Sequence, residues 1–381
     1  MKKRFISALG IFLIAACQAP YKSFPTALFE NGKGDYNCYR IPAIIKAPDG
    51  GLLAFAEGRR KGCSDFGDVD LLMRRSKDGG KSWDAVKLLV DNDTLQAGNP
   101  APVVDFFDPE FPKGRVLLFY NTGNASEYDV RNGKGTREVR YISSEDNGLT
   151  WSEPTEITSS VHFNRNTAQA EKDWRTNATT PGHALQFKRG EYKGRIYVPA
   201  NHSAGPPQDK FNEYRAYGFY SDDHGKTWSV SPDIAIPSSN EAIGVELPNG
   251  DLMLNIREQN GNTKQRLVAL SIDGGTTWNK TCFDAELITP VCQSSLLLFE
   301  TDKRNFLIYS GPNSSTKREK MTLKVSLDFG ATWTHKIEVH KEGSAYSDLV
   351  QIDDRNLGLF YEQDFKKIVF EVFTLEDLLL E

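Results

Sequence analysis

An eight-residue pattern, S-x-D-x-G-x-[ST]-W, occurs five times in this chain: at Ser76–Trp83, Ser144–Trp151, Ser221–Trp228, Ser271–Trp278 and Ser326–Trp333. Self-similarity of this kind commits a chain to a repeat architecture before any single residue is weighed. The local physics is that of a hairpin turn. The aspartate accepts backbone N–H bonds across the turn, the glycine supplies a positive φ, and the Ser and Thr hydroxyls close further local bonds. The tryptophan packs its apolar face beneath the turn, and its indole N–H needs a partner. Strand-like runs precede the copies, as in Val69–Met73 and Val139–Ile142. The copies begin 68, 77, 50 and 55 residues apart, which suits a four-stranded antiparallel blade per copy with insertions in the loops. One further, unmarked blade fits before the C-terminus. The predicted fold is therefore all-β, a six-bladed β-propeller with about 60 residues per blade. Ring closure would pair an N-terminal strand with the last blade and remove the open edges. Five aspartates on five separate turns are turn stabilisers, so the chemistry must come from residues outside the repeat.

The N-terminus reads as an address. Lys2, Lys3 and Arg4 precede Phe5–Ala16, which is apolar apart from Ser7 and Gly10. Twelve residues rise only about 18 Å as a helix, too short for a bilayer core of roughly 30 Å. This is the pattern of an export signal. The segment Leu13-Ile14-Ala15-Ala16-Cys17 looks like a bacterial lipobox, in which Cys17 becomes the lipidated first residue. The domain plan is thus a signal over residues 1–17, a short linker over 18–26 and a catalytic domain over 27–381, lipid-anchored in the bacterial envelope. No later stretch approaches 18 apolar residues. Export permits disulfides among Cys38, Cys63, Cys282 and Cys292. Four cysteines allow three connectivities; Cys282 and Cys292 could close a hairpin, and free thiols are the alternative. No cysteine or histidine cluster has metal-ligand spacing, and neither a metal nor a cofactor is expected. A net charge of -5 with ordinary globular composition argues against nucleic acid as a partner.

Arg40 in Tyr39-Arg40-Ile41-Pro42, Arg257 at the end of the run 251–256 and Arg318 before the run 321–325 stand in well-defined contexts. With them go Phe55-Ala56-Glu57-Gly58-Arg59, Asp65 six residues on, Asn240-Glu241, and Tyr346 with Glu362 sixteen residues later. On this ordered set and the five repeats, called Asp boxes in that family, the chain from Thr26 to Glu381 resembles the bacterial exo-sialidases, or neuraminidases.

The resemblance implies a retaining exo-α-sialidase. Arg40, Arg257 and Arg318 would be a triad converging on the substrate carboxylate through charge-assisted bonds of roughly 1.5–3 kcal/mol each. Glu362 would orient Arg40. Tyr346 would be the nucleophile, the known exception to the two-carboxylate pattern of glycosidases. A neutral phenol avoids the repulsion an anionic nucleophile would meet at a carbon bearing a carboxylate. Its pKa of about 10 requires a base. Glu241 is that base, with Glu246 as rival. Asp65 would be the acid, with Asp68 and Asp70 as rivals, Asp70 reading as structural. Arg59 would contact the sugar's O4 region, with Arg60 as rival, and Asn99 would lie near the same hydroxyl. The expected partners are sialylated glycoproteins, glycolipids or oligosaccharides, met by a monomer. Transfer to a sugar acceptor and non-catalytic sialic-acid binding are the alternatives to hydrolysis.

Overall fold

The computed structural model describes residues 25–163 and 173–379. The signal segment, Cys17 and residues 18–24 of the linker lie outside the described residues. Among the described residues no helix is long and apolar enough to cross a membrane. The protein is all-β, and its helices are short turns on the periphery.

The strands group into six antiparallel meanders. The first runs through Cys38–Lys46, Leu52–Arg59, Val69–Ser76 and Lys87–Val90. The second runs through Gln96–Asp105, Arg115–Gly123, Arg137–Ser144 and Thr155–Glu156; one parallel contact, Val69 to Gln96, joins the two. In the third, Ile196–Ala204 pairs with Trp174–Thr179, Leu185–Gln186 and Tyr214–Ser221, and Ser229–Val230 follows. The fourth comprises Ser239–Glu246, Leu252–Glu258, Gln265–Ser271 and Lys280–Ile288. The fifth and sixth share one long strand, His335–Gln351. Its first part pairs with Glu319–Ser326 and its second with Asn356–Gln363. The N-terminal strand Thr26–Glu30 completes the last meander by pairing with Lys367–Thr374. Successive meanders touch in order: Cys38–Lys46 meets Gln96–Asp105, which meets Trp174–Thr179 and Leu185–Gln186; Leu185–Gln186 and Ile196–Ala204 meet Ser239–Glu246, which meets Ser295–Glu300; and His335–Gln351 touches both Ser295–Glu300 and Cys38–Lys46.

The five boxes fold alike. In each, the aspartate accepts the backbone N–H and the hydroxyl of the Ser or Thr four residues on, at 2.8–2.9 and 2.5–2.7 Å. The first serine donates to the aspartate and accepts the glycine N–H. Those glycines, Gly80, Gly148, Gly225, Gly275 and Gly330, have φ between 86 and 92°, a region closed to most side chains. Each tryptophan packs against a different core cluster between neighbouring meanders. Trp83, Trp151, Trp278 and Trp333 find hydrogen-bond acceptors, whereas the Trp228 indole N–H has none among the described residues. Strand register places Ser76 opposite Leu52, which faces Lys46, while Arg59 faces Cys38. The boxes therefore lie at one end of the strands and Arg40 and Arg59 at the other.

At that other end, five meanders carry a register shift in the same place: Arg40/Ala43, Gly98/Ala101, Trp174/Asn177, Ser239/Ala242 and Ser344/Ser347. A bulge bends its strand and re-aims the side chains beside it. Here the re-aimed residues line a common cavity.

The structure settles a cysteine pairing that the sequence leaves open. Cys38 and Cys63 are bonded. Cys282 is exposed and Cys292 buried as free thiols, because the strand carrying Cys282 pairs with Gln265–Ser271 and puts Cys282 opposite Val268.

Candidate active site

The bulged ends enclose a polar cavity of about 190 Å³, lined by Arg40, Arg59, Asp65, Asn99, Glu241, Arg257, Arg318 and Tyr346 among others. A larger cavity, about 760 Å³, opens at the opposite end among Val103, Leu185, Val245, Leu298 and Val350. It contains none of these groups.

Tyr346 is the centre of the polar cavity. Its hydroxyl donates to Glu241 Oε1 at 2.5 Å and accepts from Arg257 Nη1 at 3.0 Å. Arg257 also donates to Glu241 Oε2 at 2.6 Å. The Arg40 and Arg318 guanidinium carbons stand 5.1 and 5.5 Å from the Tyr346 ring centre. Three guanidiniums thus surround one phenol. Burial, and next the Glu241 carboxylate, push that phenol well above the ordinary tyrosine range, so it is neutral at rest. Arg257 is held firmly protonated: burial opposes its charge, and Glu241 more than offsets this.

Glu362 organises the Arg40 side of the cavity. It accepts Arg40 Nε at 2.9 Å and Nη2 at 3.1 Å, a bidentate pair. Its Oε1 also accepts the Ile41 N–H at 2.9 Å. Ile41 has φ 61°, left-handed backbone that costs a β-branched residue on the order of 1–3 kcal/mol. One buried carboxylate therefore holds both the guanidinium and the strained turn that aims it. Arg318 is held differently, by donating to the Val291 carbonyl at 3.1 Å.

Arg59 is held from below by four hydrogen bonds. Nε and Nη2 donate to Glu57 Oε2 at 3.0 and 2.6 Å, and Nη1 donates to the Cys63 carbonyl at 2.6 Å and Asp65 Oδ1 at 2.7 Å. Asp65 rides on the loop after Arg59, its side chain 81% exposed. Partial burial works against its charge, but Arg59, Arg40 and Arg318 outweigh it and hold its carboxyl below the usual carboxylate range. Asn99 has φ 55° and donates its N–H to Glu57 Oε1 at 2.8 Å. Gly98 beside it is obligatory, since a Cβ there would collide with Glu57 Oε1.

The rivals fall elsewhere. Glu246 accepts Lys188 and Arg189 N–H groups at the opposite end, because five residues along a strand change both its face and its height. Arg60 pairs with Asp68 and Asp70 outside the cavity, and Asp70 also accepts the Tyr36 hydroxyl. Sequence reasoning missed Glu57 as a functional group. The signal was present: Glu57 and Arg59 are two apart in one strand and share a face. Sequence also missed Asp105, Asp108 and His224 as neighbours, the one cluster among the described residues with metal-ligand geometry. Arg115 already supplies the cation there, 2.9 Å from Asp108 and 3.6 Å from Asp105.

A family model described as a BNR repeat-like domain matches residues 50–361. A sialidase of Micromonospora viridifaciens is 31% identical over 360 residues, 88% of this chain and 51% of that protein. A sialidase of Bacteroides fragilis is 27% identical over 374 residues, 91% of this chain and 64% of that protein. An exo-alpha-sialidase of Aspergillus fumigatus is 28% identical, covering 87% of this chain and 80% of that one. The chain thus spans about half the length of the first relative and under two thirds of the second. Among solved structures, a Hadza microbial sialidase superposes with TM-score 0.79 at 24% identity, over 93% of this chain and 69% of that one. At that identity the likeness concerns the fold. With the family model spanning most of its length, the chain belongs to the family of BNR repeat-like domains, within which it is similar to bacterial and fungal sialidases.

Proposed function

We propose that this protein is a retaining exo-α-sialidase, built as a six-bladed β-propeller, that releases terminal sialic acid from glycoproteins, glycolipids or oligosaccharides. The observation that carries the reading is the 2.5 Å contact of Tyr346 with Glu241 inside a ring of three arginines. The propeller reading rests on six meanders that touch in succession and on the N-terminal strand added to the last.

The substrate carboxylate binds among Arg40, Arg257 and Arg318, which places the anomeric carbon over the Tyr346 oxygen. The phenol attacks that carbon and passes its proton to Glu241. The glycosidic C–O bond breaks, and its oxygen takes a proton from Asp65. Water then attacks the same carbon, gives a proton to Asp65, and the phenolate leaves and recovers its proton from Glu241. Two displacements retain the configuration. Asp65 must be protonated at the start, although in the empty cavity the arginines favour its anion. The bound carboxylate neutralises part of that field and the sugar displaces water, and both changes raise the Asp65 pKa.

Turnover of a fluorogenic sialoside, with the first-released anomer followed by NMR, tests the reading. The α anomer is expected; the β anomer or no turnover would overturn it. A 3-fluoro sialosyl donor is expected to label Tyr346, and a label on Glu241 or Asp65 would refute the tyrosine route. The same intermediate serves transfer to a sugar acceptor, and product analysis with added lactose separates the two outcomes. Export and lipidation at Cys17 are part of the proposal, tested by acyl mass on Cys17 in the membrane fraction.

A further inference from the structure

Arg266, in the strand Gln265–Ser271, is 0% exposed and among the largest side chains buried completely. Among the described residues it makes no ion pair. Its guanidinium donates to neutral acceptors instead: Nε to Asn255 Oδ1 at 2.6 Å, Nη2 to the Asn255 carbonyl at 3.2 Å and Nη1 to the Cys292 carbonyl at 2.6 Å. A buried cation without a carboxylate is costly, and an apolar side chain of similar volume commonly serves stability as well or better. Arg266 does not line the polar cavity, so it touches no substrate there. Its place in the molecule follows from what it holds.

It bridges two elements that each serve a triad arginine. Asn255 and Arg257 are two apart in one strand and share a face; Ile256 between them faces Leu267, the neighbour of Arg266. Cys292 lies in the connection that leads from Lys280–Ile288 into Ser295–Glu300, the first strand of the fifth meander. The first two strands of that meander carry no register shift, so no bulge aims its cavity end. The connection does this in its place. The Val291 carbonyl accepts Arg318 Nη2 at 3.1 Å. The Cys292 side chain packs with Ile41 and Tyr346, and Gln293 exchanges hydrogen bonds with the Ser347 backbone at 2.9 and 3.0 Å.

The connection does not hold its shape by itself. Val291 has φ 63°, left-handed backbone that disfavours a β-branched residue. Such a conformation persists only where its surroundings over-determine it. Two successive carbonyls accept two arginines here: Val291 takes Arg318, and Cys292 takes the buried fork of Arg266. Arg318 depends on this bend more than the other two triad members depend on theirs. Arg40 has the carboxylate of Glu362 and Arg257 that of Glu241, whereas among the described residues Arg318 has the Val291 carbonyl alone.

Resting on the proposed sialidase reading, we infer that Arg266 is a positioning residue: by clamping the bend at Val291 and Cys292 to the strand of Arg257, it sets the Arg318 guanidinium for the substrate carboxylate. The test is Arg266→Gln, with Arg266→Lys as a second variant that keeps the buried charge and loses the planar fork. Each is assayed for KM and kcat on the 4-methylumbelliferyl sialoside and for calorimetric binding of 2,3-didehydro-2-deoxy sialic acid, at a temperature where it is folded. KM and the inhibitor Kd should rise about tenfold in Arg266→Gln, the lower end of what one charge-assisted hydrogen bond is worth. The kcat should stay within about threefold, because the carboxylate contact acts on ground state and transition state alike. In an Arg318→Ala background the Arg266 substitutions should add no further loss of inhibitor binding, since residues acting through one another are not additive. Unchanged inhibitor affinity in a folded variant, a loss carried by kcat alone, or losses that add to that of Arg318→Ala would overturn the inference. A chain that folds with neither substitution marks a purely structural arginine and overturns it as well. Wild-type protein that neither cleaves the glycoside nor binds the inhibitor would sink the underlying sialidase reading instead.

Discussion

Replacing Cys38 and Cys63 together by serine should separate two consequences of one bond. The bond joins residues 25 apart. In the chain-entropy model a loop of that length contributes about 3.5 kcal/mol by restricting the unfolded chain. With an unfolding entropy of roughly 2.1 cal/mol/K per residue, a chain of this size should melt about 5 °C lower without it. The second consequence concerns Asp65 in its proposed role as the acid. Cys38 lies two residues before Arg40, and Cys63 two before Asp65. The acid loop is flanked by Gly62 at φ 133° and Gly67 at φ 140°, and a Cβ on either would meet no atom within 4 Å. Two open glycines leave the loop free to swing, and the disulfide and Arg59 pin it. Misplacing a catalytic group by about 1 Å can cost on the order of 100-fold. That loss should fall on poor leaving groups, which need the acid, and spare good ones. The assay is therefore kcat for sialyllactose against kcat for the 4-methylumbelliferyl sialoside at a temperature where the variant is folded. Sialyllactose turnover should drop about 10- to 100-fold and the aryl substrate only a few-fold. Equal losses on both substrates, or a lower Tm with both rates intact, would refute the positioning role.

Tyr346→Phe removes one oxygen and should lower turnover by several powers of ten, while a sialic-acid-like inhibitor still binds in calorimetry because the arginines remain. Asp223→Ala strips Ser221 and Thr227 of their shared acceptor, and should cost about 1–2 kcal/mol in denaturant melts with KM unchanged, since the box lies at the far end of the strands. Burial alone lifts the Glu371 pKa to about 7. A folded value above the unfolded one means the protonated acid stabilises the fold, fully below about pH 4.5, with the contribution lost as pH rises toward 7. Glu371→Gln should therefore gain on wild type by about 1–3 kcal/mol between pH 5 and pH 8 in melting experiments, the partial exposure of Glu371 keeping the gain below the full shift; a pH-independent difference would count against it.

What could be read in the sequence was whatever is encoded by short-range chemistry. The boxes fall into that class, because serine, aspartate and glycine within five residues are enough to close a turn. The pairing of Glu362 with Arg40, residues 322 apart, is not of that class and was implied only by the family resemblance. Glu241 and Glu246 were harder to tell apart, and strand direction decides between them. The remaining features depend on register between strands far apart in sequence. Cys38 meets Cys63 only because Cys38 is paired with Arg59. Arg137 and Gln96 fall in one row only because both face Gly123. The left-handed backbone at Ile41 has no local signature at all, since isoleucine is among the residues least suited to it.

The strand Thr26–Glu30 is synthesised first and pairs last. Its partner begins at Lys367, so Thr26 waits for Phe370. At about 5–20 residues per second, that wait is roughly 20–70 s of translation. Until then the last meander lacks its outer strand and the edge of Lys367–Thr374 stands open, the kind of edge that recruits other chains. A fold whose two ends must meet cannot lock on the ribosome. Delayed closure of this sort confines the window of aggregation to the interval between synthesis of Lys367–Thr374 and capture of the N-terminal strand.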